Sequence, residues 1–282
     1  MPIISLNDAQ ELPIIGFGTY MLTGNVAVEA VTHALNSGYR LIDTASKYLN
    51  EKEVGEGIKQ SGVPRAEIKL TTKLWRDSLN YDAALREFDK SIKNLGVDYL
   101  DLYLIHWPAN SNNYDNWQKA NASAWKAMEF LKEQGAVKSI GVSNFWEEHL
   151  KALFVTAHIP PSVNQIEFHP GYWQEKEMRY SQSQGIAVQS WSPLARGKVL
   201  HHPLLVQLAE KYDKTVSQIC LRWVVQHQVI VIPKAQSLSR IQENIDIFDF
   251  ELTEQEMEEI NSIPLLGYSG EHPNHWPDRV NL

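Results

Sequence analysis

The 282-residue chain reads as an α/β protein: a (β/α)8 TIM barrel with an N-terminal β-hairpin and long C-terminal loops, folded as a single domain over residues 1–282. Three observations predict this. Eight short runs rich in Val, Ile and Leu alternate with segments of helical period. The repeat is about thirty residues, enough for a strand, a crossover helix and two short turns. From the second run onward, each also carries polar side chains at or near its C-terminal end, as expected where parallel strands open together onto one mouth. Strict alternation of this kind requires a parallel sheet, and eight uninterrupted units favour closure over an open sheet.

The elements follow in order. Residues 3–13, IISLNDAQELP, read as a strand, an Asn-Asp turn and a second strand, so a small hairpin precedes the barrel and can plug it. The barrel strands are PIIGFG (13–18), YRLID (39–43), IKLTTK (68–73), YLDLYLIH (99–106), VKSIGVSN (137–144), SVNQIEFH (162–169), IAVQSWS (186–192) and VIVIPK (229–234). Between them, VAVEAVTHALNSG (26–38), NEKEVGEGIKQSG (50–62) and YDAALREFDKSIKNLG (81–96) have helical period and each stops at a glycine, the usual residue just past a helix end.

Composition narrows the function. A formal charge of −8, without clustered Lys and Arg, argues against nucleic acid or anionic lipid as partners. No apolar run approaches the roughly 20 residues of a bilayer span. The N-terminus, MPIISLNDAQ, lacks the basic start and apolar stretch of a secretion signal, and one cysteine cannot form an internal disulfide. A cytoplasmic protein, expected as a monomer, is the simplest reading. Cys220, in SQICLRWVV, falls on a helical apolar pattern as core filler. Glu167 and His169 share a strand face but lack the paired spacing of a metal hydrolase, so no metal is expected.

The strand ends hold a set suited to proton chemistry. Asp43 and Lys73 end neighbouring strands, Tyr48 lies on the loop after Asp43, and His106 ends the next strand. A phenol with a pKa near 10 is a poor general acid at neutral pH, and a nearby ammonium would lower that value while a carboxylate keeps the lysine charged. His106 can hydrogen-bond an oxygen placed beside the phenol. Lys52, four residues after Tyr48, mimics the Tyr-Lys spacing of short-chain dehydrogenases, but that class needs an N-terminal glycine-rich phosphate loop. The nearest candidate here, GFGTYM (16–21), lacks the third glycine and opens no helix. Lys52 should lie on a helix leading away from the mouth, which leaves Lys73 as the partner of Tyr48.

In these residues the chain resembles the aldo-keto reductase family, close to its bacterial branch of 2,5-diketo-D-gluconate and methylglyoxal reductases. The segments carrying the resemblance run end to end: IDTASKYLNEKEVG, LTTKLW, YLIHWP, GVSNF, VNQIEFHP, SWSPLARG, and VIPK with IQEN. The resemblance implies NADPH-dependent reduction of aldehydes and ketones, such as dicarbonyls and keto sugars, with NADH as a weaker alternative. It implies Tyr48 as general acid, Asp43 and Lys73 as the pair that tunes it, and His106 as the group orienting the carbonyl. Ser143, Asn144 and Gln165 would hold the nicotinamide carboxamide, Trp191 would stack on its ring, and Ser192 and Leu194 would lie on the pyrophosphate loop. Lys234 and Arg240 would meet the 2′-phosphate, with Glu243 and Asn244 at the adenine.

Two departures stand out. The family usually has serine after the lysine, whereas this chain reads KAQSLSR with Ala235 and Gln236, so at least one phosphate hydrogen bond is either missing or supplied by Ser237, and the preference over NADH weakens. Tyr20 replaces a commoner tryptophan in the substrate pocket, which Trp75, Trp107 and Trp276 would complete for a small-molecule carbonyl. A barrel that keeps the nucleotide pocket as a sensor or structural protein is the alternative to an enzyme.

Overall fold

The computed structural model describes residues 1–275. The hairpin pairs β1 (Ile3–Ser5) with β2 (Glu11–Pro13) antiparallel. The barrel strands are β3 (Phe17–Gly18), β4 (Leu41–Asp43), β5 (Lys69–Leu74), β6 (Leu100–Ile105), β7 (Val137–Ser143), β8 (Val163–Glu167), β9 (Ala187–Trp191) and β10 (Ile230–Ile232). They pair in parallel in chain order from β3 to β10. The ends of this sheet meet through Val231 N–H to Ile14 O (2.8 Å), Gly16 N–H to Val231 O (2.9 Å) and Gly18 N–H to Pro233 O (2.9 Å), which closes the barrel.

All eight strand segments expected from the sequence are present, most with shorter ends, and the first differs most in extent. PIIGFG divides, because Pro13 belongs to the hairpin and only Phe17–Gly18 form a regular strand. The intervening Gly16 has no room for a side chain: a Cβ there would lie 2.7 Å from Leu41 Cγ and 2.8 Å from Ile232 Cδ1. At the seam, the absence of a side chain lets the backbone come close enough to pair with β10.

The outer ring is built from α1 (Gly24–Asn36), α2 (Glu51–Ser61), α3 (Tyr81–Leu95), α4 (Trp117–Glu133), α5 (Glu147–Phe154) and α6 (Glu175–Ser183), then α7 (Pro203–Tyr212), α8 (Val216–Gln226), α9 (Leu238–Ile245) and α10 (Glu254–Asn261). Local chemistry sets their limits. Thr215 and Thr253 open α8 and α10 with reciprocal capping boxes to Gln218 and Glu256. Gly62 and Gly96 end α2 and α3 in the left-handed conformation, at φ of 69° and 65°. No helix among the described residues is long and apolar enough to cross a membrane.

The core has two parts. The larger fills the space between strands and helices and contains Cys220, buried and free, in a role of packing. The smaller lies inside the barrel, where Leu41, Leu102, Leu104, Val163, Ile230 and Ile232 cluster with Leu6 and Leu12 of the hairpin. The hairpin therefore plugs the barrel interior and leaves the opposite, C-terminal end of the strands open as the mouth.

Leu12 is 2% exposed. Leu12→Ala leaves a void that neighbouring strands can only partly close, and is expected to lower unfolding stability by about 2–5 kcal/mol. Urea denaturation would check this; a change below about 0.5 kcal/mol, the scale of a surface substitution, would show that the plug is not packed as described.

Candidate functional site

A cleft of about 1680 Å³ runs across the mouth from Tyr20 and Tyr48 to Arg240 and Asn244. Its floor is set by strand ends. β4 delivers Asp43 and β5 delivers Lys73 on adjacent strands, and the Lys73 ammonium donates to Asp43 Oδ1 at 2.5 Å and to Thr44 O at 3.0 Å. Lys73 is fully buried and Asp43 nearly so. The other carboxylate oxygen, Oδ2, accepts from Gln165 Nε2 at 2.8 Å, and the same nitrogen donates to Gln189 Oε1 at 2.9 Å.

Tyr48 sits above this pair. It ends a single 3-10 turn, Ser46–Tyr48, that follows β4, and the turn is tied down by the Ser46 hydroxyl donating to Lys73 O at 2.9 Å. Asn50 holds the start of α2 by donating to Thr19 O and Leu22 O and accepting from Thr44 Oγ1. Lys73 Nζ lies 5.2 Å from the centre of the Tyr48 ring. The rings of Tyr20 and His106 lie 5.0 Å and 5.6 Å from that of Tyr48. Trp75 packs edge-on against His106 at 5.2 Å.

The electrostatics correct one expectation. The ammonium was expected to lower the Tyr48 pKa, but the phenol is held well above its ordinary value, first by its burial among protein atoms and then by the charge of Asp43, with smaller contributions from Tyr20 and Glu271. Burial is the larger cause, and the tightness of the Asp43–Lys73 contact adds to it. With the carboxylate at 2.5 Å, the charge of Asp43 offsets much of the ammonium's field at the resting phenol. Lys73 itself is pushed below its ordinary value by burial, with Asp43 opposing that shift. Burial also drives His106 well below the usual imidazole range, reinforced by the positive charges of Lys73, Arg76 and Lys47.

The remaining strand-end residues form one connected wall. Ser143 Oγ donates to Gln165 O (2.8 Å). Asn144, at the end of β7 in the left-handed region at φ 62°, donates from Nδ2 to His106 O (3.0 Å) and Ser143 Oγ (3.1 Å). Its Oδ1 accepts from Trp191 Nε1 at 2.8 Å. The Trp191 indole is thereby fixed at the cleft edge, 6.5 Å from that of Trp107. Ser192, Ala195 and Arg196 all have positive φ (54°, 48° and 54°), so the loop carrying Leu194 folds back along the cleft.

At the far end, Ser237 caps α9, its hydroxyl accepting from Arg240 N–H at 3.4 Å. Lys234, Ala235, Gln236, Ser237 and Arg240 line the cleft there. Among the described residues no carboxylate pairs with Lys234 or Arg240, so two cations flank a helix amino end, an arrangement suited to a phosphate. Asn244 is buried, and Glu243 accepts from Thr215 Oγ1 at 2.8 Å. Ser143 Oγ, Asn144 Oδ1 and Gln165 Oε1 retain acceptor capacity, so the wall fits a carboxamide and the far end fits a phosphorylated ribose. Tyr20, Trp75 and Trp107 line the near end as expected, whereas Trp276 lies outside the described residues.

Lys52 is exposed on α2, outside the cleft lining. Glu167 and His169 meet at 3.2 Å, and Glu167 accepts from the Ser269 backbone (3.0 Å) and hydroxyl (2.7 Å), so the pair anchors the C-terminal segment. Sequence reasoning passed over Gln189, although a glutamine inside the apolar run IAVQSWS is the kind of signal that marks an inward-facing polar contact. It also missed the Arg196–Glu271 bridge (2.9 Å) between cleft loop and tail, and Lys47 on the cleft wall.

The sequence profile of the aldo/keto reductase family matches residues 14–264. A glyoxal reductase of Bacillus subtilis (strain 168) is 45% identical over 261 residues, covering 92% of each chain. Among solved structures, an aldo/keto reductase from Brucella melitensis matches with a TM-score of 0.88 at 45% identity, covering 93% of this chain and 99% of that one. The aldo-keto reductase of Bombyx mori, solved in complex with NADP, matches with a TM-score of 0.86 at 38% identity over 98% and 94% of the two chains.

The downward shift of His106 has a measurable sign. The folded chain binds this proton less readily than the unfolded chain, whose imidazole titrates near 6.5, so stability falls as the pH drops below about 6.5 and continues falling until the folded value is passed. Histidine NMR titration should find His106 still neutral at pH 5.5; a midpoint near 6.5 would contradict the buried environment described.

Proposed function

This chain belongs to the aldo/keto reductase family, and we propose that Tyr48 is the general acid with which it reduces small carbonyl compounds to alcohols. It is an NAD(P)H-dependent oxidoreductase acting on small-molecule carbonyls. The observation that carries the assignment of Tyr48 is the buried Asp43–Lys73 contact of 2.5 Å beneath its ring, with the His106 ring against its side.

NADPH, when bound, supplies the hydride that adds to the carbonyl carbon. The rest is the work of this chain's side chains. As negative charge develops on the carbonyl oxygen, the Tyr48 hydroxyl gives up its proton to that oxygen and the alcohol forms. The phenol is protonated at neutral pH, and although its raised pKa makes it a weaker acid, the alkoxide that receives the proton is a stronger base than the phenolate left behind. Lys73, hydrogen-bonded to Asp43, lies close enough to stabilise that phenolate once it forms.

His106 supports the same step. Its Nδ1 is buried without a hydrogen-bond partner among the described residues. A bare lone pair there costs less than an unsatisfied N–H, so a neutral His106 carries its proton on Nε2 and can donate it to the carbonyl oxygen. Orientation of the substrate and a donor to the growing charge follow from one ring.

NADPH is proposed over NADH because Lys234 and Arg240 flank the capped start of α9. Ser143, Asn144 and Gln165 are proposed to hold the nicotinamide carboxamide, Trp191 its ring face, Ser192 and Leu194 the pyrophosphate, and Glu243 with Asn244 the adenine. Tyr20, Trp75 and Trp107 would shape the substrate end. A relative that is a glyoxal reductase supports dicarbonyls among the substrates.

Tyr48→Phe is expected to abolish NADPH oxidation against aldehydes, dicarbonyls and keto sugars while leaving NADPH quenching of tryptophan fluorescence nearly intact. Lys73→Met should follow it and Lys52→Met should not; near-wild-type turnover in Tyr48→Phe would show that the acid is another group. Quenching by NADPH without turnover of any carbonyl by the wild type would favour a sensor instead. Removing a charge-assisted phosphate contact costs about 1.5–3 kcal/mol, so Lys234→Met should raise the KM for NADPH roughly tenfold or more and leave that for NADH little changed. Equal effects on both would mean that the 2′-phosphate binds elsewhere.

A further inference from the structure

The substrate end of the cleft is aromatic, yet it also carries fixed positive charge. Lys47 shares the 3-10 turn of Tyr48, and its Nζ lies 5.0 Å from the centre of the Trp75 indole. The guanidinium carbon of Arg76 lies 4.9 Å from the same centre. That indole is the ring packed edge-on against His106 at 5.2 Å, and Lys47, Trp75, Arg76 and His106 all line the cleft. Arg76 is buried, so it contributes a fixed background charge.

Lys47 differs from Arg76 in being half-exposed on the cleft wall. Nearby carboxylates already have partners. Asp77 accepts from Trp75 Nε1 at 3.1 Å, and Glu271 is paired with Arg196 at 2.9 Å. Lys47 meets the indole face but no carboxylate among the described residues. A lysine held over an aromatic ring keeps its charge and has fewer side-chain conformations to lose when an anion arrives. The other reading, a lysine simply covering an exposed ring, does not account for the choice of ring, which is the one that borders the reacting position.

Resting on the assignment of Tyr48 and His106 to the carbonyl oxygen, we propose that Lys47 is a specificity-determining residue that selects carbonyl substrates bearing an anionic group, a carboxylate or a phosphate, a few carbons from the reacting carbonyl. The anion would meet the Lys47 ammonium at the Trp75 face while the carbonyl oxygen sits between Tyr48 and His106. Because this contact exists before and during reaction, it should act on KM more than on kcat.

The test compares charged and neutral forms of one carbonyl. Succinic semialdehyde against its methyl ester reports on carboxylate, and glyceraldehyde 3-phosphate against glyceraldehyde reports on phosphate, each with NADPH. The wild type is expected to favour at least one charged form by about tenfold in kcat/KM, the scale of one charge-assisted contact, mainly through KM, and to lose this preference as salt is raised. Lys47→Met should bring the ratio close to one, and Lys47→Arg, which keeps the charge, should retain most of it. A wild-type ratio near one for both pairs, or a ratio unchanged by Lys47→Met, overturns the proposal while leaving Tyr48 as the acid. Failure of the wild type to turn over any of the four overturns this proposal, and the Tyr48 assignment falls with it only if dicarbonyls and keto sugars are not reduced either.

Discussion

The site depends on a charge placed where a protein interior normally excludes one. Lys73 has no exposed side-chain surface, and desolvating an ammonium costs several kcal/mol unless its protons find partners. Asp43 and the Thr44 carbonyl are those partners, and Gln165, in turn held by Gln189, occupies the second oxygen of Asp43. Four strands, β4, β5, β8 and β9, thus contribute to one hydrogen-bonded group across the barrel. Removing any member would leave a buried charge or amide without its partner.

This group is placed by an asymmetry in the barrel. One end is filled by Leu6 and Leu12 of the hairpin together with inward leucines and isoleucines, and the other end carries polar layers. A plugged apolar end supplies stability without needing polar satisfaction. The mouth can then hold features that cost stability, among them left-handed backbone at Asn144 and Ser192 and, below about pH 6.5, a histidine kept neutral by burial. The loops that line the cleft are braced by ion pairs and hydrogen bonds from the tail, with Glu167 gripping Ser269 and Arg196 meeting Glu271.

The Asp43–Lys73 contact also bears on how the phenol can work. A phenol raised by burial is loaded at neutral pH but is a weaker acid, so proton transfer from it relies on the greater basicity of the alkoxide that receives the proton. Under the role proposed for Tyr48, Lys73 acts at the moment charge moves onto the tyrosine oxygen, which is when differential stabilisation accelerates a reaction.

Much of this was legible in the sequence. The period of the apolar runs and their glycine and polar punctuation identify eight strands and their order, and reading the strand ends brings Asp43, Lys73 and His106 to one rim, because parallel strands in a closed sheet share a direction. That reasoning also separates Lys52, one turn along α2, from Lys73. Only the tertiary structure decided the burial that raises the Tyr48 pKa, the link from Gln165 to Gln189, the placing of Lys47 beside Trp75, and the bridge from Arg196 to Glu271. Strand direction is a property of local pattern, which residue order encodes directly. A pKa or an ion pair depends on ångström distances and burial between groups far apart in the chain, and those exist only once the barrel has closed.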